Sequence, residues 1–179
     1  MTTSASNSSS PDLWSLVSLQ LDHNHWAIAQ LIRRSGSLTA EQYAQVFDIG
    51  PGSLQKTLAH LVEAMFFFSD SFKGERYRRR ENWKQNSQTP EGLMPFLDAA
   101  ASELKSSIGA RLAAAPMSAT LAWPTAKTPI TTGVAIAQVF DHGSHHRAQC
   151  LNMLKQLNSL DEMEIYPLVW AAQTASAPA

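Results

Sequence analysis

Four long stretches in which apolar residues return every three or four positions are what most limits the folds open to this chain. The first runs from Pro11 to Arg34, where Trp14, Val17, Leu21, Ile28 and Ile32 keep the helical step and Pro11 suits a helix start. The second, Leu54 to about Phe72, carries the stripe Leu54, Leu58, Leu61, Met65, Phe68 and Phe72 behind Ser53, whose hydroxyl suits the N-cap. Thr89-Pro90-Glu91 opens a third, which continues through Leu93, Phe96, Leu97, Leu104, Ile108 and Leu112 to about Ala114. The fourth spans about Thr131 to Leu157. No stretch alternates β-branched and polar residues between turn signals, so the expected class is all-α, an antiparallel four-helix bundle.

The connections carry their own signals. Thr39-Ala40-Glu41-Gln42 reads as the start of a short connecting helix, and Gly50-Pro51-Gly52 then breaks the chain. Residues 73–89 read as a long polar surface connection, and Pro116, Pro124 and Pro129 make 115–129 irregular. With 179 residues, one domain is expected over 11–173, between a flexible N-terminal segment at 1–10 and a flexible tail at 174–179. A net charge of -1 leaves no basic stripe for a nucleic-acid backbone, and the run Arg76, Arg78, Arg79, Arg80 is expected to be solvated. One cysteine excludes an internal disulfide and a Cys-rich zinc module, and fits a reduced compartment. No charged and apolar leader opens the chain, and no apolar run nears the roughly 20 residues of a membrane span, so a cytoplasmic location is expected.

Chemistry enters with the histidines. On a helical projection, Ala135, Val139, His142, His146, Met153 and Leu157 share one row, with Ile136, Phe140, Gly143, Leu151 and Leu154 beside it. Gln138, Asp141, His145, Asn152 and Gln156 fall on the opposite face. His142 and His146 therefore interrupt a core-facing stripe one turn apart, a spacing at which both rings reach a single ion about 2.0–2.1 Å away. Two polar rings without partners there would be costly; a hydrogen-bonded core pair is the plain alternative to metal binding. A third ligand must come from another helix. His60 lies at the edge of the second apolar arc, between Thr57, Ala64 and Phe67, and His25 lies within the first stripe; periodicity leaves both open.

The run Val139-Phe140-Asp141-His142-Gly143-Ser144-His145-His146-Arg147-Ala148-Gln149-Cys150-Leu151-Asn152-Met153-Leu154 resembles the fourth-helix motif of the DinB family, where His-Arg-Gly-Gln follows a first histidine by four positions. Leu54-Gln55-Lys56-Thr57-Leu58-Ala59-His60-Leu61-Val62-Glu63-Ala64 is similar to that family's second helix, and the order holds from Trp26-Ala27 to Trp170. The resemblance implies a DinB/YfiT-like bundle with His60, His142 and His146 as ligands and open positions for water or substrate. It does not extend to His23, His25 or His145. One departure is Ala148 in place of glycine, a methyl group that bears on close helix packing.

Around these positions, Glu63 and Arg147 are candidates for a supporting shell, against the plainer readings of a solvated carboxylate and a surface ion pair. Cys150, one turn past His146, reads as a buried inert thiol rather than a ligand, and the tryptophans as core. A divalent ion on three neutral imidazoles can lower the pKa of water or a thiol, so the leading expectation is a metalloenzyme. The family resemblance implies a thiol-dependent S-transferase or a hydrolase, acting on a small-molecule substrate with a low-molecular-weight thiol, and a homodimer. A noncatalytic metal-binding or stress-response protein is the alternative. Imidazole serves several ions, so zinc, nickel, manganese and iron all remain open.

Overall fold

The computed structural model describes residues 11–160 and 163–175. In chain order the elements are α1 (Pro11–Ser35), α2 (Ala40–Ala44), α3 (Leu54–Lys73), α4 (Trp83–Asn86), α5 (Pro90–Ala114), β1 (Thr120–Leu121), β2 (Ile130–Thr131), α6 (Thr132–Gln156) and α7 (Pro167–Ala175). The class is all-α. Segments 1–10 and 176–179, expected to be flexible, lie outside the described residues, whereas Thr174 and Ala175 end α7.

The long helices begin and end where local chemistry dictates. Thr39, Ser53, Thr89 and Thr131 each accept a hydrogen bond from a first-turn amide, that of Gln42, Lys56, Gly92 and Val134 respectively. Thr39 and Gln42 complete a reciprocal capping box. Gly74, in the left-handed conformation at φ 73°, closes α3. Helix α3 packs on α5 and α6, and α1 packs on the same two. Ile28, Leu31, Leu58, Leu61, Leu97, Leu104 and Met153 meet between them with almost no surface left in water. Each contributes about 1.5–3 kcal/mol of burial free energy.

The connections hold more structure than their composition indicates. Within the proline-rich stretch, β1 and β2 pair antiparallel with Thr120 opposite Thr131 and Leu121 opposite Ile130. Two residues per strand are too few to show an alternating pattern. The hairpin delivers Trp123, 6% exposed, onto Phe67, Phe68 and Phe72 of α3, stacked on the Phe68 ring at 5.7 Å. The expectation that the tryptophans are core holds for Trp83 and Trp123, and Trp26 packs half-buried against the core; Trp14 is 37% exposed. Ala148 is exposed, so its methyl group meets no packed helix and the concern raised by the missing glycine does not apply.

The arginine run is not uniformly solvated. Arg80 makes two 3.0 Å hydrogen bonds to the carboxylate of Asp70, a third of 2.6 Å to Glu103, and lies 4.5 Å over the Phe66 ring. Arg79 pairs with Glu63 at 2.7 Å, while Arg76 and Arg78 face water. The reason is Asp70: a carboxylate with 4% of its side chain exposed needs a cation, and the chain after Gly74 turns back to supply one. Burial alone would raise the Asp70 carboxyl, but hydrogen bonds from Arg80 and the Arg78 amide, with the Arg80 and Lys73 charges, outweigh it and hold the group below its ordinary value.

Asp70→Ala should therefore lower stability by about 2–4 kcal/mol in urea unfolding, because it leaves the part-buried guanidinium short of its partner. Since the carboxyl pKa is lower folded than unfolded, its stabilisation is complete above about pH 4 and fades as pH falls through the folded value. Asp70→Asn should show a shallower acid limb than the wild type in the same measurement.

Candidate metal centre

The packing of α3 on α6 decides which histidines meet. His60 sits two turns into α3, and His142 and His146 stand one turn apart on α6. His60 Nε2 lies 3.0 Å from His142 Nε2, and the His146 ring centre is 4.6 Å from that of His60 and 4.5 Å from that of His142. One ring nitrogen from each falls within 4.8 Å of the others. Tetrahedral ligands about 2.0–2.1 Å from an ion would stand about 3.3 Å apart, so small ring rotations make these three donors fit one.

Electrostatics suits the same use. Burial, followed by the neighbouring His146, His60 and His145, pushes His142 down to about 4. Burial and His146 lower His60 against the opposing pull of Glu63, and burial lowers His146 against its hydrogen bond to Gln149. At neutral pH the three rings are thus uncharged, each with a lone pair to give. The other histidines are engaged elsewhere. His25 bonds to Asp98 at 2.8 Å, and buried His23 meets the Ile165 carbonyl at 2.9 Å. His145 faces solvent, as its place on the projection indicated.

The DinB family model matches residues 5–163. The chain belongs to the DinB family. No curated protein matches it.

Three neighbours of the histidines in this DinB-family protein were not singled out by sequence reasoning. Gln149 is the first: its Oε1 accepts from His146 Nδ1 at 2.7 Å, and its Nε2 donates to His145 Nε2 at 2.8 Å. With the proton held on Nδ1, His146 turns the lone pair of Nε2 outward, the device by which a second residue fixes a ligand's tautomer. Its signal was available, since position 149 lies one turn beyond 146. Gly50, at φ +53°, lies against Gln149, and a Cβ there would fall 2.1 Å from Oε1, so the loop before α3 bounds the same network. Phe68 and Trp123 are the others: Phe68 meets the His142 ring edge-on at 5.3 Å, and Trp123 stacks on Phe68. No local pattern identifies Trp123, because it arrives from the hairpin.

Beside His60 and His142 opens a cleft of about 670 Å³, walled by Phe67, Phe68, Tyr77 and Trp123. Glu63 lines it too, but accepts from Tyr77 Oη at 2.8 Å and Arg79 Nε at 2.7 Å rather than from an imidazole. Arg147 meets no carboxylate among the described residues. Its guanidinium bonds to Asn24 and, at 3.1 Å, to Ser144, and burial lowers it to about 10. Cys150 is fully buried, which pushes its thiol up and leaves it inert.

Nitrogen-detected NMR of the metal-free protein should show His146 protonated on Nδ1. In Gln149→Leu, which removes the acceptor while keeping the size, the Nε2-protonated tautomer should gain population; an unchanged tautomer would show that Gln149 does not set it.

Proposed function

We propose that this protein is a metal-dependent enzyme in which His60, His142 and His146 hold one divalent ion, and that its reaction is attack of a small thiol, or of water, on an electrophile seated in the adjoining cleft. The observation that carries this reading is the convergence of three neutral ring nitrogens, with no carboxylate among them, at the wall of a cleft large enough for a small molecule. A divalent ion on such donors keeps its full charge and supplies the Lewis acidity that makes a thiol or a water nucleophilic near neutral pH. The protein's own residues bind and exclude: Phe67, Phe68 and Trp123 keep water from the cleft wall, and Gln149 holds His146 in one orientation.

The source of the nucleophile follows from what lines the cleft. Neither a serine nor a cysteine does so among the described residues, and Cys150 is sealed in the core. The hydroxyls that do line it belong to Thr125 and to Tyr77, which is bonded to Glu63, and on this reading the attacking group comes from solution. A low-molecular-weight thiol suits the site because a sulfur nucleophile is easily ionised beside positive charge; on that ground the S-transferase reading is placed ahead of hydrolysis. The scaffold that supports the site is proposed to be an antiparallel four-helix bundle of α1, α3, α5 and α6, a reading supported by the way α1 and α3 each pack on both α5 and α6.

Purified protein should carry about one divalent ion per chain, and His60→Ala, His142→Ala and His146→Ala should each lose most of it, because each removes one of only three ligands. His145→Ala should keep it. Equal metal content in all four variants by elemental analysis would eliminate this ligand set. With metal-loaded wild type and a model electrophile, turnover should require added thiol and vanish in His146→Ala. Turnover that needs metal but no thiol would assign a hydrolase, and metal binding without turnover would favour the noncatalytic reading.

A further inference from the structure

We infer that the cleft beside the histidines takes a carboxylate-bearing molecule with a flat apolar body, the carboxylate resting on the terminal nitrogens of Arg79 and the body lying against Trp123 and Phe68. The assignment rests on the metal-dependent reading for its net charge, but its geometry belongs to Arg79. Two features of the cleft define the occupant. The first is the aromatic wall: Trp123 and Phe68 are stacked at 5.7 Å, with Phe67 edge-on to Trp123 at 6.2 Å, a surface that favours flat apolar groups.

The second is the polar side. Arg79 donates through Nε to Glu63 Oε1, and Tyr77 Oη donates to the same oxygen, so the root of the guanidinium is fixed. Beyond Glu63 and Tyr77 the guanidinium meets no acceptor among the described residues, and it lines the cleft with half of its side chain exposed. A guanidinium held by Glu63 and still open toward the cleft mouth can meet a carboxylate through two parallel bonds, which neither an amide nor an ammonium can form. Glu63 offsets the charge of Arg79, and apart from the histidines no other ionisable side chain but that of Tyr77, which burial and the Glu63 hydrogen bond keep protonated, lines the cleft. The histidines add no negative charge, so a divalent ion among them leaves the cleft net positive and selects an anion over a cation.

Calorimetric titration of the full chain, zinc-loaded and zinc-free, with phenylacetate, phenylacetamide and phenethylamine tests this. Phenylacetate should bind about tenfold tighter than phenylacetamide, with phenethylamine weakest. Arg79→Gln should bring the acid down to the level of the amide, Arg79→Lys should restore only part of the difference, and Trp123→Leu should weaken acid and amide alike, each variant being checked for an intact fold by circular dichroism. In zinc-free protein the preference for the acid should narrow but persist. Equal binding of acid and amide, a preference that survives Arg79→Gln, or no binding of either would overturn the proposal. Loss of zinc binding with the preference intact would instead count against the metal-dependent reading alone.

Discussion

The close approach of three imidazoles at the edge of the core is the constraint on which the proposed site depends. His60, His142 and His146 are drawn together between α3 and α6, where partial removal from water and their mutual proximity keep them neutral, with Glu63 alone exerting a contrary pull on His60. Charged, they would repel one another; neutral and unpartnered, they would waste hydrogen-bonding capacity. The arrangement is stable only because the helices around it are held by an apolar core that meets no such conflict. Leu58 and Leu61 flank His60 in sequence and are buried, as are Val139 and Cys150 on either side of the α6 pair. The three rings thus lie at the border between this core and solvent, with His60 the most exposed of them.

Much of this was written in local pattern. The long helices lie within a residue or two of where periodicity and capping chemistry put them, because Ser53, Thr89 and Thr131 announce their starts and Gly74 an end. The pair His142 and His146 was legible from its one-turn spacing on an apolar row, but periodicity could not separate His60 from His25. The family resemblance pointed to His60, and the tertiary arrangement gives the physical reason, by giving His25 a partner in Asp98 and bringing His60 Nε2 to His142. What pattern could not show was contact at long range. Helix α4 has four residues and each strand two, below the length at which a period can be read. The Arg80–Asp70 pair spans 10 positions across a turn, and Trp123 reaches α3 only through the hairpin. Residues 73–89 looked like solvated linker because their charges could not be seen to have buried counterparts.

That segment links fold and site. Asp70 requires a cation, Arg80 returns to meet it, and the path of the chain between them sets Tyr77 and Arg79 along the cleft. Glu63, one turn from His60, is met by both of these residues at a single oxygen. An ion pair that serves stability on one side of the loop therefore fixes the position of polar groups on the other, so the two roles are not independent.

Cys150 lies one turn from His146 and is the only cysteine of the chain, yet none of it reaches the surface. A protein that handles reactive electrophiles risks becoming their target, and exposed thiols are what such compounds modify first. Here the sulfur is locked in the core, protonated and screened by packed side chains. For the reaction proposed above, a thiol placed this way offers an electrophile no foothold, and its modification would first require the core to open.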